Sequence, residues 1–85
     1  MEITWDEPKR RSNLAKHGLD FADLVPEFFL TAFVEPAKDG RLLAMGEFNG
    51  VIVIVVVFRP LGSEAVSVIS MRPASRKERS RANDR

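Results

Sequence analysis

The sequence predicts an α+β two-layer sandwich, with an antiparallel sheet, N-terminal helices packed on it and a basic helix at the C-terminus, in the order β-α-α-β-β-β-β-α. Helix caps and an apolar stripe of helical period fill residues 6–29, and from Thr31 onward the period changes to β-branched runs punctuated by turns. The 85 residues suit a single domain spanning 1–85, and 45% hydrophobic with 29% charged residues is an ordinary globular composition.

Ile3 to Trp5 is short, apolar and β-branched, and reads as the first strand. Asp6 can cap a helix in which Pro8 falls in the first turn, where a missing N–H costs little. That helix carries only Leu14 and Ala15 as apolar contacts and ends at Gly18, with Lys16 and His17 in the last turn, where positive charge suits the helix dipole. Asp20 caps a second helix, the main core helix, whose stripe is Phe21, Leu24, Val25, Phe28 and Phe29. Pro26 lacks the N–H that an interior position donates, so a kink or break is expected near residues 22–26. Thr31 to Val34 forms a short strand ending at Pro36, and Arg41 to Phe48 a longer one in which Gly46 suggests a bulge. Asn49-Gly50 signals a two-residue hairpin. Val51 to Phe58 is a continuous apolar run, as in a central strand covered on both faces. Arg59 to Glu64 turns the chain, and Ala65 to Arg72 is the last strand. Ser75 and Glu78 match a capping box opening a helix with little apolar periodicity, which is expected to be exposed or ordered by a partner.

Composition removes several kinds of chemistry. The chain has no Cys, which excludes disulfides, thiolate nucleophiles and cysteine zinc sites, and one His, which excludes a multi-histidine metal site within one chain. The longest apolar run, Val51 to Phe58, is far too short to span a bilayer, and no secretory signal opens the chain, so a soluble protein of a reducing compartment is expected. The net charge of +1 hides an asymmetry: residues 1–41 carry eight acids and six bases (net −2), residues 42–85 four acids and seven bases (net +3). A clustered basic tail is either a footprint for phosphate or an acidic partner, or a solvated surface.

No phosphate loop, dinucleotide fingerprint or nucleophile elbow is present. Histidine is the side chain best suited to proton transfer near neutrality, which singles out His17, although a histidine ending a helix can simply serve the dipole. Arg72 ends the last strand, and Arg41 and Arg59 lie at other strand ends. Arginines converging on one sheet face could hold a phosphodiester and stabilise charge at phosphorus. Trp5 could stack on a base or pack in the core. Glu78 and Asp6 are explained by capping.

The segment Trp5-Asp6, Lys9, Asn13-Leu14-Ala15-Lys16-His17-Gly18 and Phe21 resembles the BrnT toxin family when read with Arg41, Gly46, the stretch Ile69-Ser70-Met71-Arg72-Pro73-Ala74-Ser75 and Glu78-Arg79. The resemblance runs from Ile3 to about Arg81. It implies a RelE-like ribonuclease fold and a toxin of a bacterial type II toxin–antitoxin system. Such a toxin cleaves RNA in the cytoplasm, arrests translation and is neutralised by a BrnA-like antitoxin, and it meets operator DNA only through the antitoxin complex. No cofactor and no metal is implied. Carried onto this chain, Arg72 is the transition-state clamp and Arg41 a phosphate contact. His17 and Lys16 are the acid–base or orienting pair, Arg76 and Arg79 contact the RNA backbone, and Trp5 is a base platform. The strand before the Ile69-Ser70 segment holds Val66, Ser67 and Val68, where the family often has a basic residue. That departure admits an alternative: a weak or degenerate toxin serving as an antitoxin- or nucleic-acid-binding module.

Overall fold

The computed structural model describes residues 1–50 and 52–83. Its strands are β1 (Glu2–Trp5), β2 (Phe33–Pro36), β3 (Leu42–Phe48), β4 (Ile52–Leu61) and β5 (Ala65–Pro73). They form one sheet in the order β1-β5-β4-β3-β2. The helices are α1 (Glu7–His17), α2 (Pro26–Thr31) and α3 (Arg76–Asn83). Strands β2 to β5 form an antiparallel meander, and β1 joins it parallel to β5, so the sheet is mixed. The parallel contact arises because the chain passes through both helices and three strands before β5 returns beside β1. Among the described residues no helix is long and apolar enough to cross a membrane.

Alternation along the strands gives the sheet two different faces. One presents Ala44, Ile54, Val56, Phe58, Val66, Val68 and Met71 to a core completed by Leu19, Phe21, Leu24 and Phe28. The opposite face carries Met45 and Val55, also buried, under one end of α3. Ala82 and Asn83 of α3 share a cavity with Phe33, Met45 and Val53 on that side. An Arg81–Glu35 ion pair ties the helix to β2. The apolar β4 run is thus covered on both faces, though Val51, where the run begins, lies outside the described residues, as do residues 84 and 85 of the basic tail.

Pro26 breaks the main core helix into two pieces. Phe21–Asp23 is a single 3-10 turn capped by Asp20, whose side chain accepts from the Ala22 N–H at 2.9 Å. Leu24 and Val25 are extended, and Pro26 then occupies the first position of α2, where it needs no N–H partner. Gly46 is not a bulge: β3 and β4 keep register through the Gly46–Ile54 pair. A Cβ there would lie 3.3 Å from the Phe28 ring, so glycine lets α2 approach the sheet. The register shift is in the β4–β5 ladder, where Val57 pairs with Ser70 but Phe58 with Val68, leaving Ile69 as the extra residue. Asn49 and Gly50 both take positive φ, as a primed turn requires, but the ladder closes on the Phe48–Ile52 pair, one residue wider than a two-residue hairpin. Strand β4 also outlasts its expected end at Phe58. Past that residue it has no β3 partner, so Pro60 sits on an edge that tolerates it.

Helix α1 is placed by hydrogen bonds more than by apolar contact. Leu14 and Ala15, its only aliphatic side chains, are exposed, and Asn13 is its one buried residue. Strand β1 pairs only as far as Trp5 with Val68, which leaves the outer edge of β5 without a strand beyond that point. Asn13 fills that role. Its Oδ1 accepts from the Met71 N–H at 3.2 Å, and its Nδ2 donates to the Leu19 carbonyl at 3.3 Å. At the other end of α1, Arg10 donates to Glu7 at 2.7 and 2.6 Å and to both Asp20 oxygens at 3.1 Å. That cluster joins the helix to the 3-10 turn.

Replacing Asn13 with Ala strands a buried N–H and a buried carbonyl, each worth roughly 1–3 kcal/mol. Asn13→Ala is expected to lower unfolding free energy by about 2–4 kcal/mol. A urea melt with an unchanged m-value checks this, and a loss under 0.5 kcal/mol would show that water replaces the amide.

Candidate active site

Helical geometry puts Lys9, Ser12, Asn13, Lys16 and His17 on one face of α1, because their spacing is i, i+3, i+4, i+7 and i+8. In most helices of small domains that stripe is apolar and buried. Here it is polar and forms one wall of an open groove of about 410 Å³. Ile69, Ser70 and Arg72, from the half of β5 beyond the end of β1, form the other wall. Asn13 is the floor and holds the walls together.

The groove's charged and titratable lining is Lys9, Lys16, His17 and Arg72, with no carboxylate among the described residues. Among the described residues neither Lys9 nor Lys16 is paired with an acid. His17 is half-buried against this wall, held at the helix end by Gly18, whose αL backbone lets its N–H return to the Leu14 carbonyl. Such a lining attracts anions, and it puts a proton-transfer group in the same groove as two ammonium groups and a guanidinium.

Arg72 is already engaged. Its Nη1 and Nη2 donate to the two oxygens of Glu78 at 2.7 and 2.8 Å, in the planar fork geometry that arginine favours. Glu78 also completes the capping box: it accepts from the Ser75 N–H at 2.9 Å while its own N–H donates to Ser75 Oγ at 3.1 Å. Glu78 therefore has a partner beyond the cap. Hydrogen bonds from Arg72 and then from the Ser75 N–H hold its carboxyl at about 2, against an ordinary 4.5. The same hydrogen bonds raise Arg72 further above its ordinary value. The Glu78 side chain is 13% exposed and that of Arg72 36%, so the guanidinium keeps an open side toward solvent.

The expected site residues do not all meet. Lys16, His17 and Arg72 line the groove together. Arg41 lies just before β3, two strands from β5, and among the described residues its buried Nε has no hydrogen-bond partner. Arg76 and Arg79 are exposed on α3. Trp5 packs against the core and its indole N–H donates to Glu7 at 3.1 Å, so it is not a free base platform. Lys9, Ser12 and Ser70 line the groove without having been singled out as site residues. The signal for Lys9 and Ser12 was the helical spacing of polar residues on α1. Among the described residues no group of three or more His, Asp or Glu is placed to hold a metal ion.

A family model described as the ribonuclease toxin BrnT of type II toxin–antitoxin systems matches residues 5–78. The 1.1 Å crystal structure of the Brucella abortus ribonuclease toxin BrnT is 68% identical to this chain and covers 89% of it and 99% of its own chain, with a TM-score of 0.84. No curated protein matches.

The Glu78 carboxyl is depressed in the folded chain, so its contribution to stability is fully present above about 4.5 and is lost as pH falls through about 2. Hydrogen exchange of residues 76–83 is expected to accelerate across that window in the wild type and to change much less in Glu78→Gln. Equal acid sensitivity in both proteins would place the acid response elsewhere.

Proposed function

This chain belongs to the BrnT family of ribonuclease toxins of type II toxin–antitoxin systems, and we propose that it is a metal-independent endoribonuclease that arrests translation until an antitoxin of the BrnA kind masks it. The type II family implies an antitoxin partner. Action in the cytoplasm, and contact with operator DNA only through the antitoxin complex, belong to the same reading. The observation that carries it is the acid-free groove in which Lys9, Lys16 and Arg72 surround the single histidine.

RNA supplies its own nucleophile. The 2′-hydroxyl oxygen forms a bond to the adjacent phosphorus as the bond from phosphorus to the 5′-oxygen breaks, leaving a 2′,3′-cyclic phosphate and a free 5′-hydroxyl. One group must take the 2′ proton and another must give a proton to the leaving oxygen. His17 and Lys16 share these transfers, and Arg72 holds the non-bridging oxygens as charge develops on them. Arg41 contacts a neighbouring phosphate, and Arg76 and Arg79 contact the backbone from α3. The substrate phosphate competes with Glu78 for the Arg72 fork, which needs only the side chain to turn, because the guanidinium has an open side. The same ion pair favours a second reading, a weak toxin retained for binding its antitoxin, if Glu78 holds Arg72 throughout.

Purified wild-type chain in chelator is expected to cut a naked single-stranded RNA. His17→Ala should slow cutting by about 10²–10⁴-fold, and Arg72→Ala by about 10²–10³-fold. Full activity in both variants overturns the assignment. No cutting by the wild type, with normal growth on strong expression, favours the binding module.

A further inference from the structure

The sheet face away from the core carries a pair of guanidinium groups besides Arg72. Strands β3 and β4 begin their shared ladder at Leu42 and Phe58, both turned into the core. One step past the end of that ladder, alternation sends Arg59 of β4, and the extended Arg41 that leads into β3, to the opposite face. Arg59 continues the row with Ser67 of β5 and Thr4 of β1. The ladder ends at Leu42–Phe58, so the two arginines stand just past its end, where like charges on one sheet face repel unless an acid lies between them. Here, among the described residues, neither arginine has a carboxylate partner. Among the described residues Arg59 donates to the Asp39 carbonyl at 3.1 Å, and Arg41 has a buried Nε without a hydrogen-bond partner. A buried donor left unmade costs roughly 1–3 kcal/mol, so an acceptor that reached Arg41 would recover that cost.

The geometry points to a phosphate subsite made by Arg41 and Arg59 together, in which Arg59 is a substrate-binding residue. It rests on the ribonuclease reading and extends it. Arg72 pairs with Val55 and lies on the same face, four residues along β4 from Arg59, or roughly 13 Å. Between them lie Leu43, Val57 and Ser70, all half-buried and none charged. A single RNA strand crossing this stretch has one phosphate at Arg72 and another, a few nucleotides away, between Arg41 and Arg59. Two forks on one phosphate leave no unpaired guanidinium on the face.

The test is binding of a 2′-O-methyl RNA oligonucleotide, which cannot be cut, to the full chain across a salt series, followed by fluorescence anisotropy. One phosphate contact contributes about 0.7 to the slope of log affinity against log salt for a single strand. Arg59→Ala is expected to reduce the slope by about 0.7 and to weaken oligonucleotides of different sequence alike. Arg41→Ala/Arg59→Ala should lose little more slope than either single variant, because both residues serve one phosphate. On cleavable RNA, Arg59→Ala should raise KM with kcat nearly unchanged, a split that a structural defect would not give. Because Arg59 is exposed, the variant is expected to melt with the wild type. Unchanged affinity and slope in Arg59→Ala overturn the subsite and leave the arginine pair to an acidic protein surface. A wild-type chain that binds no oligonucleotide overturns the ribonuclease reading and the subsite with it.

Discussion

A buried amide holds this molecule's working edge together. Strand β1 is four residues long and stops at Trp5, so the second half of β5 has no strand on its outer side. An unpaired N–H there would be either exposed to pairing by another chain or buried at a cost. Asn13 satisfies it from a helix and with the same side chain fixes the turn that leads to Leu19 and the core. A carboxamide suits this position because it donates and accepts in one plane. Aspartate could accept from Met71 but could not donate to Leu19. An aliphatic residue could do neither. With α1 anchored by Asn13 in its middle and by Arg10 near its start, the polar residues flanking Asn13 are free to face the groove.

Electrostatics divide the chain into a neutralised frame and an unneutralised site. Arg10, Glu7 and Asp20 satisfy one another at the start of α1, where hydrogen bonds from Arg10 and then Trp5 hold Glu7 at about 2. Arg81 and Glu35 do the same at the end of α3. Among the described residues the groove lysines Lys9 and Lys16 and the Arg41–Arg59 pair lack such partners. Arg72 stands between the two groups: its ion pair orders α3, and its open side faces the groove. One carboxylate thereby couples the docking of a helix that has little apolar surface to the charge state of the site. Any ligand that takes Arg72 from Glu78 also loosens the attachment of α3.

Much of the fold was legible because it rests on local chemistry. The Asp6 and Asp20 caps, the Gly18 stop, the Asn49-Gly50 turn and the Ser75–Glu78 box each depend on residues within four positions of one another. The break at Pro26 was legible for the same reason. Features set by distant contacts were not. Gly46 reads as a bulge until the Phe28 ring is seen against it. The parallel pairing of β1 with β5 joins residues about sixty positions apart and leaves no local mark. Asn13 belonged to a recognisable motif, but its partner is an N–H at position 71, and a backbone donor has no sequence signature. Glu78 was read as a cap, which it is, and the cap concealed its longer reach to Arg72.

A chain this small has little apolar surface to spare, burying only about 60% of what it exposes when unfolded. Giving one helical face wholly to a polar groove removes a stripe that would otherwise stabilise the core by about 1.5–3 kcal/mol for each large side chain buried. The sequence compensates on the other elements. Phe21, Phe28, Ile54, Val56 and Phe58 concentrate the core behind β4, away from the groove. Phe28, Phe29 and Phe58 add edge-to-face contacts at centroid separations of 5.3 and 5.1 Å. The core and the candidate catalytic groove therefore share β5 by alternation, with Val66, Val68 and Met71 in the core and Ser70 and Arg72 in the groove, joined through the Asn13 amide. A substitution in the groove that spares Asn13 can change charge and chemistry without disturbing the core, and the same separation lets the site be varied while the fold is kept.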